Sequence, residues 1–283
     1  MDLSGEVWPA VDRALAHAAA CSAGDPIDPS LRVTLNFHPD RLLGDGSLVL
    51  EAMVRDGVYR SQFETGTSNG GLTAHPGGDR WHWESRLFGA AYDHSPAWQR
   101  PKYGALNHRR REVGGSPRFG SAHFRLTGDT LARTTFCYPD STFGPTHLGV
   151  AARMALIALA EAGDPDPLDD YIEAHFHGPL SFTRDVEALV LDPSHRDTKT
   201  EDAARGLDCP VEWHAGYRLT VDELKRHPDY RGVEYVELGS ALARDGHLDP
   251  AVLGDAARTG QYDEQALKRV WHLLARYGDA ASR

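Results

Sequence analysis

One apolar stretch dominates the hydrophobic pattern of this 283-residue chain. Residues 186–191 are almost wholly apolar and β-prone, which is typical of a buried central strand. The pair Asp192-Pro193 ends the run, because proline cannot continue a central ladder. Glu187 interrupts it, and desolvating a carboxylate is costly unless the group is paired or functional. Glu187 is therefore either a candidate catalytic carboxylate or an acid on an exposed strand face, paired with a base such as Arg184.

Periodicity along the rest of the chain predicts further elements. Alternating apolar and polar positions predict strands over residues 31–37, 100–107, 116–126, 134–138, 211–219 and 233–236. Helical spacing predicts helices over residues 6–21, 48–54, 81–92, 149–162, 167–174 and 249–278. Helices lie between strands early and strands cluster later, so the predicted fold class is α+β with a mixed or antiparallel sheet and flanking helices.

The same pattern predicts the organisation of the chain. We expect an N-terminal helix and linker over residues 1–29 and an α+β catalytic-type domain over residues 30–240. C-terminal helices over residues 241–283 would pack on the same domain. No internal repeat or low-complexity tract interrupts this arrangement.

Composition narrows the function classes. Thirty basic against 41 acidic residues give a net charge of −11, which argues against a dedicated nucleic-acid or anionic-membrane surface. No apolar run is long enough to span a bilayer, and the first residues lack the pattern of a secretory signal. Cys21, Cys137 and Cys209 are odd in number and far apart, so they predict no disulfide framework and fit a reducing cytoplasm.

Residues 61–80 form a glycine-rich and hydroxyl-rich segment with five glycines. Such a segment cannot build a core, and long loops in compact domains are often binding loops. It lacks the spacing of either glycine motif that binds phosphates. Because Arg60, Gln62 and Glu64 lie at its start, we predict that it borders the ligand site; the alternative is a surface excursion.

Histidine is abundant, with 15 copies, and two of them suggest a metal site. His175 and His177 alternate, so on a strand both would face one side. A third ligand could come from His38, Asp40, His214 or Glu187. No HExxH motif or cysteine pair supports such a site, so a metal-dependent hydrolase is an alternative prediction. A non-catalytic binding module is another. A serine hydrolase is disfavoured, because no Gly-x-Ser-x-Gly elbow occurs.

Five phrases of the sequence resemble a bacterial family known as a domain of unknown function. The resemblance covers about residues 30–225, and the phrases are residues 35–41, 59–66, 100–106, 119–121 and 185–190.

A looser resemblance, in the order of elements, is to ADP-ribosyltransferases of the His–Tyr–Glu type. His38 ends an early strand, Tyr103 lies on a second strand and Glu187 on a late core strand. The chain departs from that pattern at Asp185, where a Glu-x-Glu or Gln-x-Glu pair would have its first acid, and it has no clear Ser-Thr-Ser strand.

The transferase resemblance implies a split antiparallel sheet that holds NAD, consumed as a substrate, in a bent form. Glu187 would stabilise the cationic, oxocarbenium-like transition state. Tyr103 would stack on the nicotinamide ring, and His38 would hydrogen-bond the second ribose. The other expected contacts to NAD are Arg41, Arg60, Gln62 and Ser121.

The resemblance also implies a macromolecular acceptor, either a protein or a nucleic acid. We expect no metal ion in the transferase site. We also expect a cytoplasmic location, including delivery there as an effector or toxin.

Overall fold

The computed structural model describes residues 8–66 and 73–279, and its centre is a large β-sheet. The strands are β1 (Val33–Phe37), β2 (Lys102–Leu106), β3 (Ala122–Leu126), β4 (Thr134–Tyr138), β5 (His147–Val150), β6 (Ile172–Phe176), β7 (Val186–Leu191), β8 (Val211–Trp213), β9 (Leu219–Thr220) and β10 (His247–Leu248). Eight of them form one sheet in the order β5-β4-β6-β2-β1-β3-β7-β8, and β9 pairs with β10. All neighbours in the large sheet are antiparallel except β7 and β8. The predicted α+β class with a mixed sheet is confirmed.

Helices flank the sheet and form most of the C-terminal part. They are α1 (Pro9–Ala20), α2 (Val49–Asp56), α3 (Gln62–Thr65), α4 (Asp79–Leu87), α5 (Leu156–Ala162), α6 (Phe182–Asp185), α7 (Lys199–Ala204), α8 (Val221–Leu224), α9 (Pro228–Arg231), α10 (Val233–Leu242), α11 (Pro250–Arg258) and α12 (Glu264–Tyr277). Across the described ranges, no helix combines the length and the apolar character that crossing a bilayer requires.

The two faces of the sheet differ in chemistry. Strand residues alternate between faces, so Val33, Leu35 and Phe37 of β1 lie on one side. This side carries the main apolar core, which also contains Phe124 and Phe136. The opposite side carries polar residues, most of them buried: Thr34, Asn36, Tyr103, Thr135, Glu173 and His175. A buried polar face needs internal hydrogen bonds, and these bonds build the candidate site.

The C-terminal helices share a second apolar core. Val270, Trp271 and Leu274 of α12 are buried in it, on the helix face that the sequence pattern predicts. The indole Nε1 of Trp271 donates to the carbonyl oxygens of Pro117 and Arg118, both at 3.1 Å, and so ties α12 to the loop before β3.

The predicted domain boundary at residue 240 falls inside α10. Val236 of that helix packs in the same core as α11 and α12.

Four predictions of secondary structure are wrong. The strand predicted over 211–219 ends at Trp213, because the chain turns at Gly216 before β9 begins. Residues 167–174 were expected to be helical, but 172–174 begin strand β6, in which apolar and polar residues alternate. The predicted helix over 149–162 starts only at Leu156, because residues 149 and 150 are the last two residues of the edge strand β5. Residues 233–236 belong to helix α10 rather than to a strand, since Val236 packs against neighbouring helices.

Candidate functional site

The candidate site is a cavity where strands β1 and β2 separate. The two strands pair only through Val33 with Leu106 and Thr34 with Ala105. Beyond the second pair they diverge, and a cavity of about 240 Å³ is lined by their separated ends. The polar side chains on its wall include His38, Arg41, Asp56, Arg60, Gln62, Arg80, Lys102, Tyr103 and Glu173.

His38 and Tyr103, both predicted as site residues, lie on the wall of this cavity. The half-buried His38 ring packs edge-on against Trp271, with ring centroids 4.9 Å apart. Burial lowers the pKa of His38 to about 4, so its imidazole is neutral at pH 7. A neutral imidazole offers one donor and one acceptor to a ligand.

Tyr103 is held in place by a buried ion pair. Its hydroxyl donates to Oε1 of Glu84 at 2.9 Å, and Arg100 Nη1 donates to Oε2 of the same carboxylate at 2.5 Å. Burial raises the pKa of Glu84 to about 7, against the opposing effect of Arg100. The Arg80 guanidinium lies over the Tyr103 ring, 4.3 Å from its centroid. Helix α4 therefore fixes the orientation of this tyrosine.

Glu173 is the buried carboxylate of the cavity, and sequence reasoning missed it. Oε1 lies 2.8 Å from Nε2 of His175, and the Ser141 hydroxyl donates to Oε2 at 3.1 Å. Burial alone would raise the pKa of Glu173, but the hydrogen bond from His175 and the nearby Arg80 charge hold it below its ordinary value. Glu173 is therefore ionised at neutral pH.

A chain of hydrogen bonds runs from Glu173 into the interior. His175 Nδ1 lies 3.2 Å from the Thr135 hydroxyl, which lies 2.9 Å from His177 Nε2. His177 Nδ1 lies 2.7 Å from the Tyr92 hydroxyl. One proton assignment satisfies every step: Tyr92 donates to His177, then His177 to Thr135, Thr135 to His175, and His175 to the carboxylate. Burial lowers the pKa of His177 well below its ordinary value, which keeps that ring neutral.

Glu187 lies outside the cavity, so the expected meeting of Glu187 with His38 and Tyr103 is wrong. Its side chain is 40% exposed, and Oε2 lies 2.8 Å from Nε of Arg32 and 3.6 Å from Nε of Arg125. Strand β7 is the predicted apolar strand, and Glu187 is its one exposed residue, because it lies where the register with β3 shifts between Val186 and Ala188. The paired alternative is closer to the structure, with Arg32 and Arg125 rather than Arg184 as partners.

The remaining predicted contacts divide between cavity and interior. Arg41, Arg60 and Gln62 line the cavity; Arg60 pairs with Asp56 at 2.9 Å. Ser121 does not line it. That residue is 2% exposed, and its carbonyl oxygen lies 2.8 Å from Nε2 of His214. Ser121 therefore lies in the interior, where it cannot make the predicted contact with a ligand in the cavity.

The glycine-rich segment borders the cavity at both of its ends. Gln62 and Thr65 of α3 and Arg80 of α4 belong to the wall. Residues 67–72, in the middle of the segment, lie outside the described residues. A second cavity of about 230 Å³ shares His38 and Arg41 with the first and is lined on its other side by α11 and α12.

One group of described residues could hold a metal ion. Cys137, Glu173 and His175 are buried, and each offers a ligand atom within 4.8 Å of the others. His175 is one of the two histidines that the sequence suggested. The other, His177, has both ring nitrogens within hydrogen-bond distance of Thr135 and Tyr92.

Comparison with known families adds one match. Residues 32–164 and 153–277 match the family described as Protein of unknown function (DUF3626). The chain belongs to the DUF3626 family. This confirms the predicted resemblance to an uncharacterised family. No curated protein matches the chain.

The DUF3626 match extends beyond the five phrases that carried the resemblance. It includes β1, β2 and β6, and therefore His38, Tyr103 and Glu173, and it continues into α12. DUF3626 is a family of unknown function, so an activity has to be inferred from the chemistry of the cavity.

Proposed function

We propose that this protein is an NAD-dependent ADP-ribosyltransferase that transfers ADP-ribose to a protein or nucleic-acid acceptor. The observation that carries the proposal is the convergence of His38, Tyr103 and Glu173 on one cavity at the split between β1 and β2. These are the three residue types of the His–Tyr–Glu layout, on an early strand end, a second strand and a later core strand. Glu173 takes the role that sequence reasoning gave to Glu187.

The chemistry follows from the charges in the cavity. Cleavage of the nicotinamide–ribose bond sends the bonding electrons to the leaving nicotinamide and leaves positive charge on the ribose, as in glycoside cleavage. An ionised carboxylate fixed beside that carbon stabilises the transition state and can accept a hydrogen bond from the ribose 2′-hydroxyl. Glu173 is buried, ionised and held at both oxygens by His175 and Ser141. The acceptor nucleophile then bonds to the ribose carbon and loses its proton.

The other wall residues suit binding of the dinucleotide. Tyr103 offers an aromatic ring that Glu84 holds and Arg80 covers on one face, so nicotinamide would stack on the other face. The neutral His38 imidazole can hydrogen-bond a ribose hydroxyl. Arg41 and Arg60 supply guanidinium groups for the pyrophosphate, and Gln62 has a buried amide oxygen without a hydrogen-bond partner among the described residues.

Incubation with NAD labelled in its adenylate phosphate tests this proposal. The purified protein is mixed with cell lysate, and both released nicotinamide and label on macromolecules are measured. We expect nicotinamide release together with transferred label that nuclease or protease removes, according to the acceptor class. Absence of nicotinamide release at every NAD concentration tried, with protein shown to be folded, would contradict the proposal.

A metal-dependent hydrolase is the second candidate, and the group of Cys137, Glu173 and His175 favours it. Thiolate, imidazole and carboxylate are all ligands of zinc. Elemental analysis of protein purified without chelators separates the two functions. A stoichiometric transition metal that is lost in a Cys137→Ser variant supports the hydrolase; metal-free protein that cleaves NAD supports the transferase.

A further inference from the structure

Arg80 is a cation on the wall of the cavity whose hydrogen-bonding capacity is incompletely used. It lies in the first turn of α4 and is 8% exposed. Nε and Nη1 are shielded from solvent and have no hydrogen-bond partner among the described residues. Guanidinium carries five N–H donors, and leaving donors of a buried charge unsatisfied costs free energy. Two donors of the Arg80 side chain are therefore left without a partner in the described part of the ligand-free protein.

The other basic residues of the cavity have partners that Arg80 lacks. Arg60 pairs with Asp56 at 2.9 Å, and Arg41 lies 3.7 Å from Glu264. Lys102 donates to the Gly178 carbonyl oxygen at 2.8 Å, and burial lowers its pKa to about 8. The guanidinium carbon of Arg80 instead lies over the Tyr103 ring, 4.3 Å from its centroid, and a guanidinium held in this way can still make a planar, bidentate contact with an anion.

We propose that Arg80 binds a phosphate group of the ligand that enters the cavity. Phosphate oxygens match the fork of a guanidinium and can accept hydrogen bonds that Arg80 does not make with the described residues of the protein. Arg80 lies over Tyr103 and is close enough to Glu173 for their charges to interact, so the phosphate lies near the reacting ribose. That last step rests on the proposed function. The phosphate belongs either to the dinucleotide or to the acceptor.

Calorimetric titration with inorganic pyrophosphate and with ADP-ribose tests the site. The variant Arg80→Met removes the charge at similar length. The matched control, Arg86→Met, removes an exposed arginine from the same helix. We expect Arg80→Met to weaken binding of pyrophosphate by about tenfold to a hundredfold, the effect of losing charged hydrogen bonds, and Arg86→Met to leave it unchanged. Equal affinity of wild type and Arg80→Met, or no binding of either probe to wild type, would overturn the proposal.

Stability separates a binding role from a structural one. If Arg80 serves the ligand rather than the fold, the melting temperature of Arg80→Met should stay close to that of wild type. A large decrease would assign Arg80 to the structure instead. If Arg80→Met does not fold, Arg80→Lys keeps the charge but loses the planar fork, and weaker pyrophosphate binding in that variant still supports the site.

Two further measurements identify the source of the phosphate and test the Arg80 site separately from the proposed activity. In the first, pyrophosphate is titrated into protein saturated with ADP-ribose. Loss of pyrophosphate binding assigns the phosphate to the dinucleotide, whereas undiminished binding through Arg80 assigns it to the acceptor. Binding of pyrophosphate through Arg80 without any NAD cleavage supports the site and removes the transferase. NAD cleavage with pyrophosphate binding unchanged in Arg80→Met supports the transferase and removes the site.

Discussion

Glu173 and Glu187 differ in what surrounds their carboxylates, and the role that we propose for Glu173 rests on this difference. Glu173 is buried and hydrogen-bonded to His175 and Ser141. The dielectric constant is low in such a place, so the charge of an ionised carboxylate interacts strongly with a bound ligand. Glu187 is 40% exposed and pairs with Arg32, the residue just before β1. Water screens such a pair, so it contributes little to stability or chemistry.

The exposed pair yields the first prediction. Glu187→Gln should lower the free energy of unfolding by no more than about 1 kcal/mol, because exposed ion pairs contribute that much or less. Urea denaturation of Glu187→Gln, Arg32→Gln and the double variant measures the coupling between the two side chains. A coupling energy well above this range would show that Glu187 has a structural role that its exposure does not indicate.

At the scale of elements, the separation of β1 from β2 creates the cavity, and Gly104 allows the strands to approach before they diverge. A Cβ on Gly104 would lie 2.4 Å from the Thr34 carbonyl oxygen and 2.5 Å from a Leu35 methyl carbon. Both distances are shorter than nonbonded contacts allow, so a side chain here would push β2 away from β1.

The second prediction concerns this contact. Gly104→Ala should destabilise the protein by about 1–3 kcal/mol, the usual effect of overpacking an interior. The control is Gly44→Ala, since a Cβ on Gly44 meets no atom within 4 Å. Urea denaturation of both variants measures the difference. Equal stability of Gly104→Ala and wild type would mean that the strand separation tolerates a wider gap than the geometry indicates.

The strands show how far sequence reasoning reaches. Periodicity gave β1, β4 and β7 within a residue or two, because each is a short run with clear apolar alternation or continuity. It missed β6, since apolar residues at 168, 171 and 172 also fit a helical spacing. The signal for Glu173 was present: Glu173, His175 and His177 alternate, and the alternation continues one step before the two histidines. The pairing of β2 with β6, which brings Glu173 to Tyr103's side of the sheet, depends on long-range contacts that one sequence does not reveal.

For the molecule as a whole, buried neutral histidines link stability to pH. Burial lowers the pKa of His123 to about 3 and that of His272 to about 2, from an ordinary value near 6.5. Below pH 6.5 the unfolded chain binds protons that the folded protein excludes, so these histidines lower stability as the pH falls. Glu84 acts in the opposite sense between pH 4.5 and 7, because burial raises its pKa to about 7.

The third prediction isolates one histidine. His123→Phe should reduce the pH dependence of the unfolding free energy between pH 6.5 and 5 by about 1.4 kcal/mol per pH unit, the linkage of one proton. Denaturation at several pH values measures the slope, with His147→Asn as the exposed control. An unchanged slope in His123→Phe would mean that His123 binds its proton in the folded protein.

We propose Glu173 as the carboxylate that stabilises the transition state of NAD cleavage. The most direct test of this role compares nicotinamide release by Glu173→Gln and Glu187→Gln, with the melting temperature and the NAD affinity measured on the same preparations. Glu173→Gln should slow turnover roughly a hundredfold or more while changing NAD affinity far less, because the lost charge acts chiefly in the transition state. Glu187→Gln should turn over NAD at the wild-type rate. Wild-type turnover by a folded Glu173→Gln protein, or loss of turnover in Glu187→Gln alone, would contradict the account.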